Sequence, residues 1–253
     1  MIQLKNAQEL AKMRRACQIS AEALKLGGRS IEAGMTTADL DKIIYDYIKR
    51  HGARPNFKGL YGFPGTACIS INDEVIHGLP SHSRQIRPGD IVSIDTGAAI
   101  NGFNDDNAYT FPCGKVDIEA QRLMDVTKES LHRGIAAAVA GNRVGDIGHA
   151  VQSYVEENGF SVVRSFVGHG VGKELHEDPE VPNYGHAGHG VRLVNGMTIA
   201  IEPMVNQKHH SVKTLSDGWT VVTADGGLAA HFEHSIAILP GGPEILTIGW
   251  EEP

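Results

Sequence analysis

Asp95 closes the run GDIVSID, and Asp106 follows in NGFNDDNAYTF, with Asn101-Gly102 between them. Asn-Gly is the strongest short-range signal for a two-residue type I′ hairpin turn. That turn pairs Ile100 with Phe103, so paired positions sum to 203 and Asp106 falls opposite Gly97. Side chains alternate along a strand, so Asp95 and Gly97 share a face. Asp95 and Asp106 then become diagonal neighbours, roughly 7 to 8 Å apart at the backbone. Two carboxylates so placed can converge on one cation or on a close pair, although a solvated polar strand face gives the same pattern. Asp105 falls on the other face and is expected to be exposed.

Further along, Glu202 ends the apolar run MTIAI and Glu233 opens HSIAIL. A carboxylate flush against a buried strand is costly unless it is paired or metal-bound. His169 and His176 lie in GHGVGKELHEDP, where glycines allow close approach of the backbone to a ligand. The segment has neither phosphate-loop spacing, G-x-x-x-x-G-K-[ST] or G-x-G-x-x-G. Alone, such a histidine reads as structural; beside four candidate carboxylates it reads as a ligand. Carboxylates and imidazole without thiolate form a hard site that suits manganese, iron(II) or cobalt at least as well as zinc. Two ions bridged by carboxylates activate water and polarise a carbonyl, which is the chemistry of amide or ester hydrolysis. His186, His189, His209 and His210 are expected at the surface, and His51, His82, His132 and His149 carry no signal.

The elements that must hold these side chains occur twice. A shift of 107 positions lays GMTTADLDKIIYDYIKRHG (34–52) on GNRVGDIGHAVQSYVEENG (141–159), and IRPGDIVSID (86–95) on LVNGMTIAIE (193–202). Asp95 then coincides with Glu202. Each half opens with a long amphipathic stretch, 7–33 and 118–140, and a second helix after a glycine. Thr36-x-x-Asp39 predicts a capping box there, and Gly52 and Gly159 stand where a helix-ending glycine belongs. β-patterned segments follow: CISIND, DIVSID and NAYTF, then SVVRSFVG, MTIAIE, WTVVTA and HSIAIL. The expectation is one α/β (α+β) domain over 1–253, with repeats at about 34–113 and 141–240 and a site between them.

Composition bounds the rest. The 253 residues are 41% hydrophobic and 21% charged, which excludes disorder, collagen and coiled coil. A net charge of −7 with no basic run argues against nucleic acid or an anionic membrane as the main partner. Cys17, Cys68 and Cys113 form no paired spacing, so a disulfide framework is not expected and a reducing compartment is. The N-terminus lacks the apolar core of a signal peptide, and IAAAVA at 135–140 is far too short to span a bilayer.

The ordered motifs CISINDEVIHGLP, GDIVSID, GHGVGKELHEDP, MTIAIEP and FEHSIAIL resemble the type I methionine aminopeptidases, over nearly the whole chain. The resemblance implies a pita-bread fold, with helix pairs packed on a curved, mainly antiparallel sheet. It implies two divalent ions (Co, Mn, Fe(II) or Zn) held by Asp95, Asp106, His169, Glu202 and Glu233, with Asp106 and Glu233 bridging. It implies that His77 hydrogen-bonds the scissile amide, His176 steadies the carbonyl oxygen, and Glu202 takes the proton of the attacking water. The methionine pocket maps to Phe57, Leu60, Phe63, Cys68, Leu175 and Trp219, of which Phe63, Cys68 and Trp219 look typical. Asp105 and Asn107, flanking the bridging aspartate, depart from the small residue and Ser or Thr usual there. The implied activity is removal of the initiator methionine from nascent polypeptides with a small second residue. A cytoplasmic monomer, transient contact with the ribosome and the absence of an N-terminal extension domain are also expected. An Xaa-Pro or other aminopeptidase of the same fold, and a binding protein without catalysis, are the other readings.

Overall fold

The structure is a computed structural model that describes residues 2–249; the ends of the expected 1–253 unit lie outside the described residues. The first part of the chain forms helices α1 (Ala7–Arg29) and α2 (Thr37–Arg50). Strands β1 (Arg54–Pro55), β2 (Ala67–Ile71), β3 (Glu74–Ile76), β4 (Ile91–Thr96), β5 (Ala98–Ile100), β6 (Phe103–Asn104) and β7 (Asn107–Pro112) follow. Helices α3 (Ile118–Ala137) and α4 (Val144–Glu157) open the second part. After them come β8 (Ser161–Val162), β9 (Gly168–Gly170), β10 (Glu177–Val181), β11 (Thr198–Ile201) and β12 (Met204–Asn206). The chain then runs through β13 (Val212–Thr214), β14 (Val221–Thr223), β15 (Ala229–His231), β16 (Glu233–Leu239) and β17 (Gly242–Ile245). By position, α4 lies 107 residues after α2 at both ends, and β11 starts 107 after β4.

The helices begin where the side chains can satisfy their first free amides. Asn6 Oδ1 accepts from Gln8 and Glu9 N–H at 2.9 and 3.0 Å, and Glu9 returns the bond to Asn6 N. Thr36 and Asp39 form the expected box at the head of α2. Gly52 and Gly159 take left-handed φ of 75° and 81° just past α2 and α4. Both long helices stop short of their amphipathic stretches, at Arg29 and Ala137.

The main sheet is antiparallel with order β10-β9-β11-β16-β7-β4-β2, and β17 pairs with β16. The α1–α2 and α3–α4 pairs lie against it, so Leu24, Ile44, Ile94, Leu123, Val151, Ile199 and Ile236 share one core. Each such side chain, fully buried, contributes about 1.5 to 3 kcal/mol of transfer free energy. Three small sheets complete the fold: β1-β5-β6, β15-β12-β8 and β13-β14-β3. No helix among the described residues is long and apolar enough to cross a membrane. SVVRSFVG gives the two-residue β8 and, at Gly168, the first residue of β9; between them the chain leaves the ladder after Val163 and turns Phe166 and Val167 into a cleft.

The hairpin at Asn101-Gly102 has both turn residues at positive φ, 55° and 80°, as a type I′ turn requires. Ile100 pairs with Phe103, and beyond the break at 105–106 the same register resumes with Thr96 opposite Asn107 and Asp95 opposite Ala108. Asp105 corrects the expectation of exposure: it is wholly buried. Its carboxylate accepts from Ala98 N–H at 2.8 Å and from the Ser20 hydroxyl of α1. Alternation fails at this point because the ladder is interrupted and α1 covers the outer face.

Candidate active site

Five neighbouring strands of the main sheet each contribute one candidate ligand. His169 sits in β9, Glu202 directly follows β11, Glu233 opens β16, Asp106 directly precedes β7, and Asp95 lies near the end of β4. The side chains converge: Asp95, Asp106 and Glu233 bring ligand atoms within 4.8 Å of one another, and so do His169, Glu202 and Glu233. His169 Nε2 lies 3.6 Å from Asp106 Oδ2 and 3.5 Å from Glu202 Oε1. His169 Nδ1 is 2.9 Å from the carbonyl oxygen of Gly170. A proton on Nδ1 donates there and leaves the Nε2 lone pair facing the carboxylates, the arrangement of a metal-binding imidazole.

These residues fit divalent cations on the chemistry of their donors. Asp95 Oδ1, Asp106 Oδ1 and Glu233 Oε1 are buried without a hydrogen-bond partner. Burial pushes all three carboxyls well above the usual range, with the charge of neighbouring carboxylates adding to it. Burial also raises Glu202 to about 8, against the pull of His169 and together with Asp106 and Asp95. Acceptor-only oxygens crowded out of water need either protons or cations.

His77 and His176 line the same cleft of about 710 Å³ without belonging to the five. His77 has a left-handed φ of 59° and packs edge-on against Phe166, with ring centroids 5.8 Å apart. Burial lowers its pKa. His176 stands 4.5 Å from His169, centroid to centroid, and burial with its histidine neighbours lowers it to about 4. His176 also comes within ligand distance of Asp106 and His169. The six pocket residues come together: Phe57, Phe63, Cys68 and Leu175 are buried in one apolar cluster, against which Leu60 and Trp219 pack. Phe63 and Trp219 meet edge to face at 5.2 Å. Cys68 pairs across the sheet with Asp95, so this apolar wall adjoins the acidic cluster.

Ile76, Phe166 and His231 escape a reading by motif. Ile76 and Phe166 line the cleft. His231 is buried with neither ring nitrogen hydrogen-bonded, and its Nε2 lies 3.9 Å from Glu202 Oε2. Burial lowers it to about 3, with His77 adding to the effect. Its spacing of two from Glu233 is the strand-face signal that finds it. Of the histidines expected at the surface, His186, His189 and His209 are exposed and His210 is half-buried.

An apolar pocket beside an acidic cluster on a curved antiparallel sheet defines a class of metal-dependent peptidases. The sequence pattern of metallopeptidase family M24 matches residues 11–240, and the chain belongs to that family. It is similar to the methionine aminopeptidase of Clostridium perfringens, 55% identical over 98% of this chain and 99% of that one. It is 50% identical to methionine aminopeptidase 1 of Bacillus subtilis over 98% of this chain and 99% of that one. The methionine aminopeptidase structure from Thermotoga maritima superposes with a TM-score of 0.96 at 45% identity, covering 98% of this chain and 99% of that one. The prolidase from Pyrococcus furiosus has a TM-score of 0.79 at 23% identity, over 97% of this chain and 65% of that one, and shares the fold alone. The fold is the pita-bread fold.

Proposed function

We propose that the chain is a methionine aminopeptidase that removes the initiator methionine from nascent polypeptides with a small second residue. The observation that carries this is one ligand from each of five adjacent strands, set directly against a closed apolar wall. Asp95, Asp106 and Glu233 would hold one divalent ion and His169, Glu202 and Glu233 another, with Asp106 reaching both; Mn, Fe(II), Co and Zn all suit these donors. When bound, such a pair supplies an acidified water and polarises the scissile carbonyl.

The protein's own groups do the rest. Phe57, Leu60, Phe63, Cys68, Leu175 and Trp219 take up the unbranched apolar side chain, for which a soft thioether is well matched. Glu202, beside the position a metal-held water would occupy, accepts the proton of the attacking water and can pass it to the leaving amine. His77 hydrogen-bonds the scissile amide. His176, neutral at pH 7, donates to the carbonyl oxygen as negative charge develops, a contribution of several kcal/mol in comparable sites.

The reading takes the chain as one catalytic unit, about 34–113 and 141–240 being repeated halves; the equal spacing of α2 and α4 supports it. A cytoplasmic monomer that meets emerging chains through transient ribosome contact belongs to the same proposal. The deciding experiment compares hydrolysis of Met-Ala-Ser with an X-Pro peptide, before chelation, after it, and after metal restoration. Metal-dependent release of methionine from Met-Ala-Ser is expected. Preferential cleavage of the X-Pro peptide overturns the substrate assignment, and chelator-resistant turnover overturns the metal assignment.

A further inference from the structure

Lys5, in the segment before α1, is buried, and among the described residues no other lysine or arginine is. Its ammonium pairs with Glu177, the two side chains being 3% and 4% exposed, and donates to the Gln3 carbonyl at 3.0 Å. Its backbone N–H is tied to the Gly196 carbonyl at 2.7 Å. Glu177 opens β10 opposite Gly170 of β9. It is thus next in sequence to His176, and across the ladder from the neighbour of His169. The second oxygen of Glu177 accepts from Glu174 N–H at 3.2 Å, which closes the turn that carries Leu175 and His176. A Cβ at Gly172 would stand 2.4 Å from Lys5 Cε and 2.8 Å from Glu177 Oε1, so the lysine stem crosses this loop where there is no side chain. The far side of the loop is held by Asn104 Nδ2, which donates to the Lys173 carbonyl at 2.8 Å.

A buried ion pair is a poor way to gain stability, because desolvation consumes most of the attraction and apolar residues serve as well. What it does supply is a fixed direction between two chain segments. We propose that Lys5 is a positioning residue for catalysis: through Glu177 it fixes the 171–177 loop and so the His176 ring beside Asp106 and His169. The N-terminal segment is then part of the catalytic apparatus. This rests on the reading of His176 as the donor to the carbonyl oxygen.

The test uses the metal-loaded full chain, with Lys5→Met, Glu177→Gln and the double variant, which buries no unpaired charge. The kcat for Met-Ala-Ser should fall at least about tenfold while KM changes by less than about twofold. Manganese stoichiometry by calorimetric titration should not change. With ring-labelled histidine, the His176 signal, assigned by its loss in His176→Ala, should move or broaden in each variant. The double variant should be no worse than the sum of the singles, because the pair acts as one unit. A folded double variant with kcat within twofold of the parent, or with an unmoved His176 signal, overturns the proposal even where the singles fail to fold. Full activity of His176→Ala would instead sink the role given to His176, while the ring signal still decides whether Lys5 positions it.

Discussion

His77 sits in a backbone region that costs a non-glycine residue about 1 to 3 kcal/mol and persists only where its surroundings enforce it. Together with the neutral His176 it offers N–H donors that hold no metal in this reading. His77→Ala and His176→Ala should each lower kcat/KM at least about 100-fold, roughly 2.7 kcal/mol of transition-state stabilisation. Calorimetric metal titration and single-turnover rates check this: loss of an ion would reassign the residue as a ligand, and unchanged rates would make it structural. At this scale much of the site was legible, since an acidic residue abutting an apolar strand is conspicuous at Asp95, Glu202 and Glu233. Asp105 was not, because its burial depends on Ser20, a helix residue distant in sequence. Lys5 was not legible for the same reason: nothing near it in sequence announces Glu177.

The Asn101-Gly102 turn sets the register that carries Asp95 and Asp106, and Gly102 holds a φ of 80° that a β-branched residue resists. Gly102→Val should destabilise the protein by about 1 to 3 kcal/mol. For a chain of this size that lowers Tm by roughly 2 to 6 °C in calorimetry. Metal affinity should weaken as well, since the arms of the hairpin lead into two of the proposed ligands; a Gly102→Val protein with unchanged metal affinity would show that β4 and β7 keep register without the turn. The turn, the Thr36–Asp39 capping box and the helix pairs were readable because each is a local decision of a few residues; the Asn6–Glu9 box that heads α1 was not read in advance. The length of β8 was not, because the pull of Phe166 and Val167 into the cleft is tertiary and overrides the β-pattern of SVVRSFVG.

For the whole molecule, the crowded carboxylates set a pH dependence. Glu202 at about 8 and Asp105 at about 7 keep protons in the folded, metal-free chain that the unfolded chain has already lost, so stability falls as pH rises toward 8. His176 at about 4 and His231 at about 3 act oppositely, but only below the unfolded histidine value of about 6.5. The metal-free protein should therefore melt lower at pH 8 than at pH 6.5. Saturating Mn²⁺ should reverse that slope, because binding requires deprotonated ligands and gains with pH. Scanning calorimetry at both pH values, with and without the ion, measures it; a flat metal-free profile would mean that the carboxylates relax into water.

Between β7, from the first part of the chain, and β16, from the second, the backbone ladder is only two residue pairs long, Ala108 with Glu233 and Asn107 with His234. Hydroxyls reinforce it: Thr110 Oγ1 bonds the His231 backbone, and Ser235 Oγ the Asp106 backbone. Asp95 and Asp106 lie on one side of this seam and His169, Glu202 and Glu233 on the other, so ions held by both sets would bridge it. Without ions the seam keeps this short ladder, its hydroxyl bonds and the core shared by both helix pairs, so local opening of the ladder is expected at a lower free energy than global unfolding. Amide hydrogen exchange should therefore accelerate first at Asn107, Ala108, Glu233 and His234 on chelation, while β2 and the helix cores stay protected. Limited proteolysis reads the same property: faster cleavage of the chelated protein is expected, and equal rates with and without Mn²⁺ would sink the idea.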